Sequence, residues 1–395
     1  MAGPLEGIRV VDLSTVVSGP LAAMMLADQG ADVIKVEAPG LGDILRAPSF
    51  ARGGLTAFIA NANRGKRSLV VDLQQEQGRE IVKKLVEKAD VFIQNFRPGA
   101  VDRLGLGEPE LRKLNPNLVY MSISGFGDSG PYANRRVYDP IIQGLTGHVA
   151  VQRNTTTGFL DLVRNIVCDK ATAYTAAQAI TAALFARERG ASGQHIRLPM
   201  VDAGLAFFWP DGMLRQTMVG GEDLTGVALY EVYKLTDTAD GHLIYFMASE
   251  AEFHGLFRAL ERPDLIEDGR FNGPGMAPTD LEVLGEILED EFRKWKTEEI
   301  TQRLVDEQVP VGPVLSLEEI FDDAQIRHND RVVVRQHPTA GAIREILPAA
   351  QFDGTVPELP PIAPIKGEHT DEILAELGIG EDARAQLRSD GILGP

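Results

Sequence analysis

The stretch Ile8-Arg9-Val10-Val11-Asp12-Leu13, followed by a helical pattern from Gly19 to Gln29 and then by Asp32-Val33-Ile34-Lys35-Val36, decides the fold. The two apolar runs are short and continuous, the pattern of strands buried on both faces. Between them Pro20 falls in the first turn of the helix and Gly30 ends it. A strand, a helix and a strand joined by short links form a crossover unit with a parallel pair. The pattern continues outward. Ser68 to Leu73 predicts a third strand, Glu76 to Lys88 a helix, and Asp90 to Gln94 and Leu118 to Ser122 further strands. The sequence therefore predicts an α/β protein with a Rossmann-like parallel sheet.

Beyond this region, the Ala-, Thr- and Leu-rich stretch Asp169 to Arg189 predicts a long helix. A strand, His195 to Leu198, and a helix to about Met218 follow. The texture changes near Gly220. Tyr230 to Thr236 and His242 to Met247 read as two strands joined in a hairpin by Asp237-Thr238-Ala239-Asp240-Gly241, with helical patterns after it to about Glu307. Short strands are expected around 331–335 and 342–347. The Pro-rich stretch Pro357 to Pro364 is a stiff spacer leading to helices at Thr370–Leu377 and Glu381–Arg388. The expected division is 1–224, 225–325 for a smaller α+β domain, and 326–395.

The chain has 395 residues, of which 44% are hydrophobic and 24% charged, enough for a large core. Its 39 basic and 57 acidic residues give a net charge of −18. That balance argues against general nucleic-acid binding and against docking to anionic membranes. A single cysteine, Cys168, excludes an internal disulfide and a multi-thiolate zinc site. The seven histidines form neither H-x-x-x-H nor H-E-x-x-H, so no metal is expected. The start shows no charged segment followed by an apolar run, and no run of about 18 apolar residues occurs, so the expected location is cytoplasmic.

Three motifs have chemical readings. Gly125-Phe-Gly-Asp-Ser-Gly130 matches G-x-G-x-x-G after a strand, but Pro131 follows at once and no helix opens inside it. A dinucleotide site needs that helix, so the glycines are read as letting backbone pass close to a ligand. The cluster Arg64-Gly65-Lys66-Arg67, with Arg97, Arg103, Arg135 and Arg136 in other loops, is either a solvated face or a set of phosphate-binding cations. Asp169 opens the Ala-rich helix. A residue so placed is most often an N-cap, but it also has the chemistry of a carboxylate nucleophile kept ionised by helix N–H groups. There is no G-x-S-x-G elbow, which leaves an α/β-hydrolase thioesterase without support.

Several phrases, in order, resemble the class III CoA-transferases of the CaiB/BaiF type, the group of formyl-CoA transferase and carnitine CoA-transferase. They are Leu5 to Leu13 with Gly19-Pro20; Gly30 to Glu37 with Gly42-Asp43; Asn63-Arg64-Gly65-Lys66-Arg67-Ser68; and Asn95-Phe96-Arg97-Pro98-Gly99 with Arg103-Leu104-Gly105. Ser124 to Gly127, Gly193-Gln194, Met200 to Ala203, Gly312-Pro313-Val314 and Gly367 to Thr370 continue the series. The resemblance implies a large Rossmann-like domain made from both chain ends, an inserted small domain, and an interlocked homodimer. It implies an acyl-CoA:carboxylate CoA-transferase whose substrates are acyl-CoA and a small carboxylic acid, with no permanent cofactor. Asp169 would carry an acyl anhydride and then a CoA thioester, with Tyr138 and Asp139 beside the reacting centre. Val16, Val17, Ser18, Gly19, Leu73, Asn95, Phe96, Arg103, Arg136 and Met200 would contact CoA.

Ala38 and Gln74 depart from formyl-CoA transferase, which has basic CoA contacts there, and its glycine-run loop is absent from the small domain. That speaks against formyl or oxalate chemistry. Two alternatives stay open. One is a 2-methylacyl-CoA racemase of the same fold, whose Gly-His-Asp phrase is Val137-Tyr138-Asp139 here. The other is a CoA-binding protein without turnover. Tyr230, Tyr233, Glu250 and His254 are candidate contributors to an acceptor pocket.

Overall fold

The structure is a computed structural model and describes residues 3–47, 49–154, 157–220, 226, 228–271, 273, 275–355 and 359–394. Residues 1–222 and 330–395 form one compact unit, and residues 223–329 form a second.

The first unit is built on six strands: β1 (Arg9–Asp12), β2 (Asp32–Glu37), β3 (Lys66–Val70), β4 (Val91–Gln94), β5 (Val119–Ser124) and β6 (His195–Pro199). All pair in parallel in the order β3-β2-β1-β4-β5-β6, the arrangement of a doubly wound dinucleotide-type sheet. Val10 lies opposite Val33 on one side and Val91 on the other.

Because side chains alternate along a strand, the sheet sorts its residues into two cores. Val10, Val33, Val91, Ile93, Val119 and Met121 face one of them. There they meet helix α1 (Ser18–Asp28), through Ala22, Ala23 and Leu26, and the Ala-rich helix, through Ala173, Ala176 and Ile180. Val11, Ile34, Val36, Phe92 and Tyr120 face the other core, against Ile81, Val82 and Leu85 of helix α2 (Glu76–Val86). Three further helices matter below: α3 (Asp139–Leu145), α4 (Val167–Glu188) and α5 (Met200–Gly212).

The chain's last segment returns to the same sheet. Gly65 N–H donates to Pro361 O at 2.7 Å, Gly367 N–H to Ser68 Oγ at 2.9 Å, and Asp72 N–H to Ile392 O at 2.8 Å. Ile373 and Leu374 fill the second core. The Pro-rich spacer is thus laid against its own unit from Leu359 onward; Pro357 lies outside the described residues.

The second unit has its own core, in which Leu243, Phe253, Phe257, Leu288, Phe292 and Ile300 are buried around a three-stranded antiparallel sheet. Here one expectation fails. Only Thr236–Asp237 pairs with His242–Tyr245, and Leu229–Val232 is a helical turn. The Glu231 carboxylate accepts the Ala228 N–H at 2.9 Å and closes that turn, overriding the strand preference of Tyr230 and Val232. The strand expected at 68–73 begins two residues earlier, at Lys66. Among the described residues no helix is long and apolar enough to cross a membrane.

Candidate active site

In the order β3-β2-β1-β4-β5-β6, the connections run outward in opposite directions from β1 and β4. The carboxyl ends of those two strands open a crevice, where open α/β sheets bind ligands. Two loops line it: residues 13–17 after β1, and residues 95–99 after β4. They are tied together by the Asn95 amide, which accepts the Thr15 N–H at 2.9 Å and donates to the Thr15 carbonyl at 2.7 Å. The next residue, Val16, has φ +68°. A β-branched residue in the left-handed region costs on the order of 1–3 kcal/mol and persists only where its surroundings over-determine it. Here the Asp43 carboxylate accepts the Val16 N–H, both oxygens lying at 3.2 Å.

Helix α1 starts at Ser18, and α4 packs beside it. The start of α4 resolves the ambiguity of Asp169. The helix begins two residues before the expected point, so Asp169 is its third residue, and Ile166 at the cap position offers no side-chain acceptor. The capping is done from α3. One oxygen of Asp139 accepts the N–H groups of Cys168 at 2.7 Å and Asp169 at 3.0 Å. Its other oxygen accepts Gln143 Nε2 at 2.6 Å. Gln143 in turn clamps the approach to α4, donating to the carbonyls of Val163 and Asn165 and accepting the Val163 N–H at 3.0 Å. With orphan helix donors satisfied by Asp139, the Asp169 side chain is not used as a cap.

Asp169 is 8% exposed. Burial, and then the negative charge of Asp139, push its carboxyl up to about 6, while the hydroxyl and backbone N–H of Ser18 pull it down. Near neutral pH it is therefore ionised while largely shielded from water. Its neighbour Cys168 is fully buried, and desolvation followed by the Asp139 charge pushes the thiol up to about 12. It stays protonated near neutral pH.

The sequence-predicted residues divide into groups. Val16, Val17, Ser18 and Gly19 form the β1 loop and the start of α1, and Asn95 is hydrogen-bonded to that loop. Ser18 connects them to Asp169, and Asp139 holds Asp169 in place. Met200, the first residue of α5, is buried in the same core as Cys168. Phe96 lines a neighbouring cavity of about 370 Å³ with Gln94, Arg97, Ser122 and His195. Leu73 is half-buried beyond β3, Arg103 is exposed at the end of the short helix Ala100–Arg103, and Arg136 and Tyr138 are exposed on a loop. None of the hydrogen bonds just described involves these four.

The basic cluster at 64–67 is a correction, because its charges are spent inside the unit. Arg64 pairs with Asp28 at 2.6–2.7 Å and with the Ile346 carbonyl; Arg67 pairs with Asp32, Glu372 and Glu376; Lys66 is buried on Asp12. Gly125 also has a packing reason: a Cβ there would lie 2.3 Å from Val137 Cγ1. What the sequence reading missed is the support. Gln143, Asp12, Asp43, Lys35 and Lys66 hold the site in place; Asp12, Lys35 and Lys66 are charged residues inside strands that otherwise read as core, while Asp43 follows β2 and Gln143 sits within α3.

The site therefore combines a parallel sheet in the 3-2-1-4-5-6 order with a buried carboxylate at the start of a helix packed on it. The chain belongs to CoA-transferase family III, whose sequence profile matches residues 5–370. It is similar to the succinate–glutarate CoA-transferase of Agrobacterium fabrum, at 34% identity over 95% of this chain and 96% of that one. It is similar to the mouse succinyl-CoA:glutarate CoA-transferase at 32% identity, over 99% and 90%. The crystal structure of a CaiB/BaiF family protein from Brucella suis superimposes with a TM-score of 0.83 at 30% identity, covering 95% of this chain and 100% of that one. The protein is an enzyme of acyl-CoA metabolism, an acyl-CoA:carboxylate CoA-transferase.

Proposed function

We propose that this enzyme moves CoA from an acyl-CoA to a carboxylic acid through two covalent states on Asp169. One observation carries the reading. The buried carboxylate of Asp169 is not used as a helix cap, because Asp139 supplies that cap. An Asp169 oxygen attacks the thioester carbonyl, the C–S bond breaks, and an acyl–aspartyl anhydride and CoA thiolate result. The thiolate attacks the aspartyl carbonyl, the donor acid leaves as a carboxylate, and an aspartyl-CoA thioester remains. The acceptor carboxylate attacks that thioester and releases the thiolate, which then takes the acceptor's acyl group from the new anhydride. Asp169 is regenerated. The sequence of steps consumes and releases no proton, so no histidine or other base is required at the centre. Burial limits hydrolysis of the anhydride.

CoA lies along Val16, Val17, Ser18 and Gly19 in this reading, with its remainder toward Leu73, Asn95, Phe96, Arg103, Arg136 and Met200. Tyr138 and Asp139 flank the centre. The relatives' names point to short dicarboxylic acids as the first acceptors to try. The test is a matrix of acyl-CoA donors against carboxylic acids, read by mass spectrometry of the CoA products. At least one donor–acceptor pair should exchange CoA. Loss of hydrogen at the carbon next to the thioester without any exchange would instead support the racemase reading. Because Asp169 must be ionised to attack, kcat/KM should fall below about pH 6 with a slope of one proton. A flat profile down to pH 5 would contradict this.

The working form in this reading is an interlocked homodimer of subunits made from both chain ends plus an inserted small domain. Phe50, Phe159, Tyr174, Phe185 and Phe207 are between 59% and 90% exposed in the single chain, which fits surfaces that a second copy covers. Sedimentation should give a dimer that survives dilution to the nanomolar range. A monomer with full activity would contradict it.

A further inference from the structure

Two lysines lie fully buried beneath the loop after β1, with no exposed side-chain surface. Lys35 Nζ donates to the Ser14 carbonyl and to Asp43, each at 3.0 Å. Lys66 Nζ donates to the Pro20 carbonyl, to Asp12 and to Asn63 Oδ1, each at 2.8 Å. The two carbonyls bracket residues 15–19. The acids complete the hold: Asp12 accepts the Ser14 N–H at 3.0 Å and also its hydroxyl, and Asp43 accepts the Val16 N–H. With Asn95 on Thr15, six backbone groups between Ser14 and Pro20 are fixed from outside the loop.

Buried ion pairs such as these are weak evidence of a stabilising role. Well-packed apolar residues replace buried ion pairs at little or no cost in many proteins. What charged groups supply here, and apolar ones cannot, is direction: each holds a named carbonyl or N–H at one place. The place matters because the loop ends at Ser18, the group that pulls the Asp169 carboxyl down against its burial, on the helix that packs beside α4.

We propose that Lys35 with Asp43, and Lys66 with Asp12, are positioning residues of the transfer reaction. They set the β1 loop, including the left-handed Val16, so that Ser18 presents both of its donors to the Asp169 carboxylate. They act through Ser18 and touch no substrate. The inference rests on the reading of Asp169 as the nucleophile. The charged group facing Asp169 from the other side is Asp139, from α3, which these changes leave in place.

The test is the double variant Lys35→Met with Asp43→Leu, which removes the pair together and leaves no orphan charge. We expect a folded protein with a lowered melting temperature, because the Ser14 carbonyl and the Val16 and Leu45 N–H groups lose their partners. Its kcat should fall on the order of a hundredfold, since a nucleophile shifted by about 1 Å loses that much. The acid limb of its kcat/KM–pH profile should move to higher pH, because Asp169 has lost donors that favour its ionised form. A purely structural pair would also lower the melting temperature but would leave the limb where it was. A folded double variant with wild-type kcat and an unmoved limb overturns the proposal. If the double variant does not fold, Asp43→Asn replaces it. That change keeps an acceptor for Val16 and removes only the charge, and the same upward limb shift is expected in smaller degree; an unmoved limb overturns the proposal. Asp169→Asn is run beside them. If it retains turnover, the nucleophile reading fails, whereas an inactive Asp169→Asn beside a wild-type-like pair variant refutes the positioning role alone.

Discussion

Asp169→Asn is expected to abolish CoA transfer and, at the same time, to make the folded protein more stable. The loss of activity follows from chemistry: an amide cannot form the anhydride or the thioester. The gain in stability follows from the direction of the carboxyl's titration. Its ordinary value is 3.8, and in the folded chain burial and the Asp139 charge raise it to about 6. Between those values the native state binds more protons than the unfolded state, so stability falls as pH rises through that window. Above it, the ionised carboxylate costs roughly 3 kcal/mol relative to a group with no shift. Removing the charge relieves that cost. Thermal unfolding at pH 7.5 and at pH 4 checks it: the variant should melt higher than wild type at pH 7.5, with the advantage shrinking at pH 4. A variant less stable than wild type at pH 7.5 would contradict the account of a strained, desolvated carboxylate.

The second large effect is expected at Asp139, where two substitutions should separate two roles. Asp139→Ala removes the acceptor shared by the N–H groups of Cys168 and Asp169, and the anchor of Gln143. Loss of a helix cap, together with buried donors left unpaired, costs about 2 kcal/mol. Asp169 would then sit on a frayed first turn, and kcat should fall on the order of a hundredfold. Asp139→Asn retains an oxygen for the cap but removes the negative charge that raises the Asp169 titration. Its kcat loss should be smaller, and the acid limb of its pH profile should move below the wild-type position. Steady-state kinetics from pH 5 to 8 distinguish the cases. An Asn variant whose limb moves upward would show that the Asp139 charge does not act on Asp169.

The sheet was legible because its strands are short, continuous apolar runs with helices of ordinary length between them, and each local signal agrees with the others. Starting from Val10 and Val33 the pattern yields a parallel α/β layout, and the spatial order adds the switch point beside Val16 and Asn95. The segment Tyr230–Thr236 was misread because β-branched and aromatic residues signal a pleated, packed surface, and one glutamate–backbone bond outweighed that preference. At the site, Asp169 was visible as an acid at a helix start, but whether it capped that helix depended on Asp139, thirty residues earlier in the chain. No local pattern reports that a side chain from another helix has taken over a cap. The same limit applied to Lys35 and Lys66. Strands carrying buried lysines look no different in sequence from strands carrying exposed ones, and the cluster at 64–67 reads equally as a solvated face or a phosphate site without its partners Asp12, Asp28 and Asp32. The chemistry was legible through ordered phrases; its support depends on contacts between residues distant in sequence.

The claim on which all of this depends is that Asp169 is covalently modified during turnover. Trypsin cuts after Arg164 and after Lys170, and the peptide Asn165–Lys170 between them has Asp169 as its one acidic side chain. The enzyme should be mixed with a donor acyl-CoA from the active pairs, without acceptor, treated with borohydride, digested and analysed by mass spectrometry. The account predicts that this peptide carries homoserine in place of Asp169, by reduction of the aspartyl-CoA thioester. An unmodified Asn165–Lys170 peptide from enzyme proven active in the same mixture, or reduction at another acid, would contradict it.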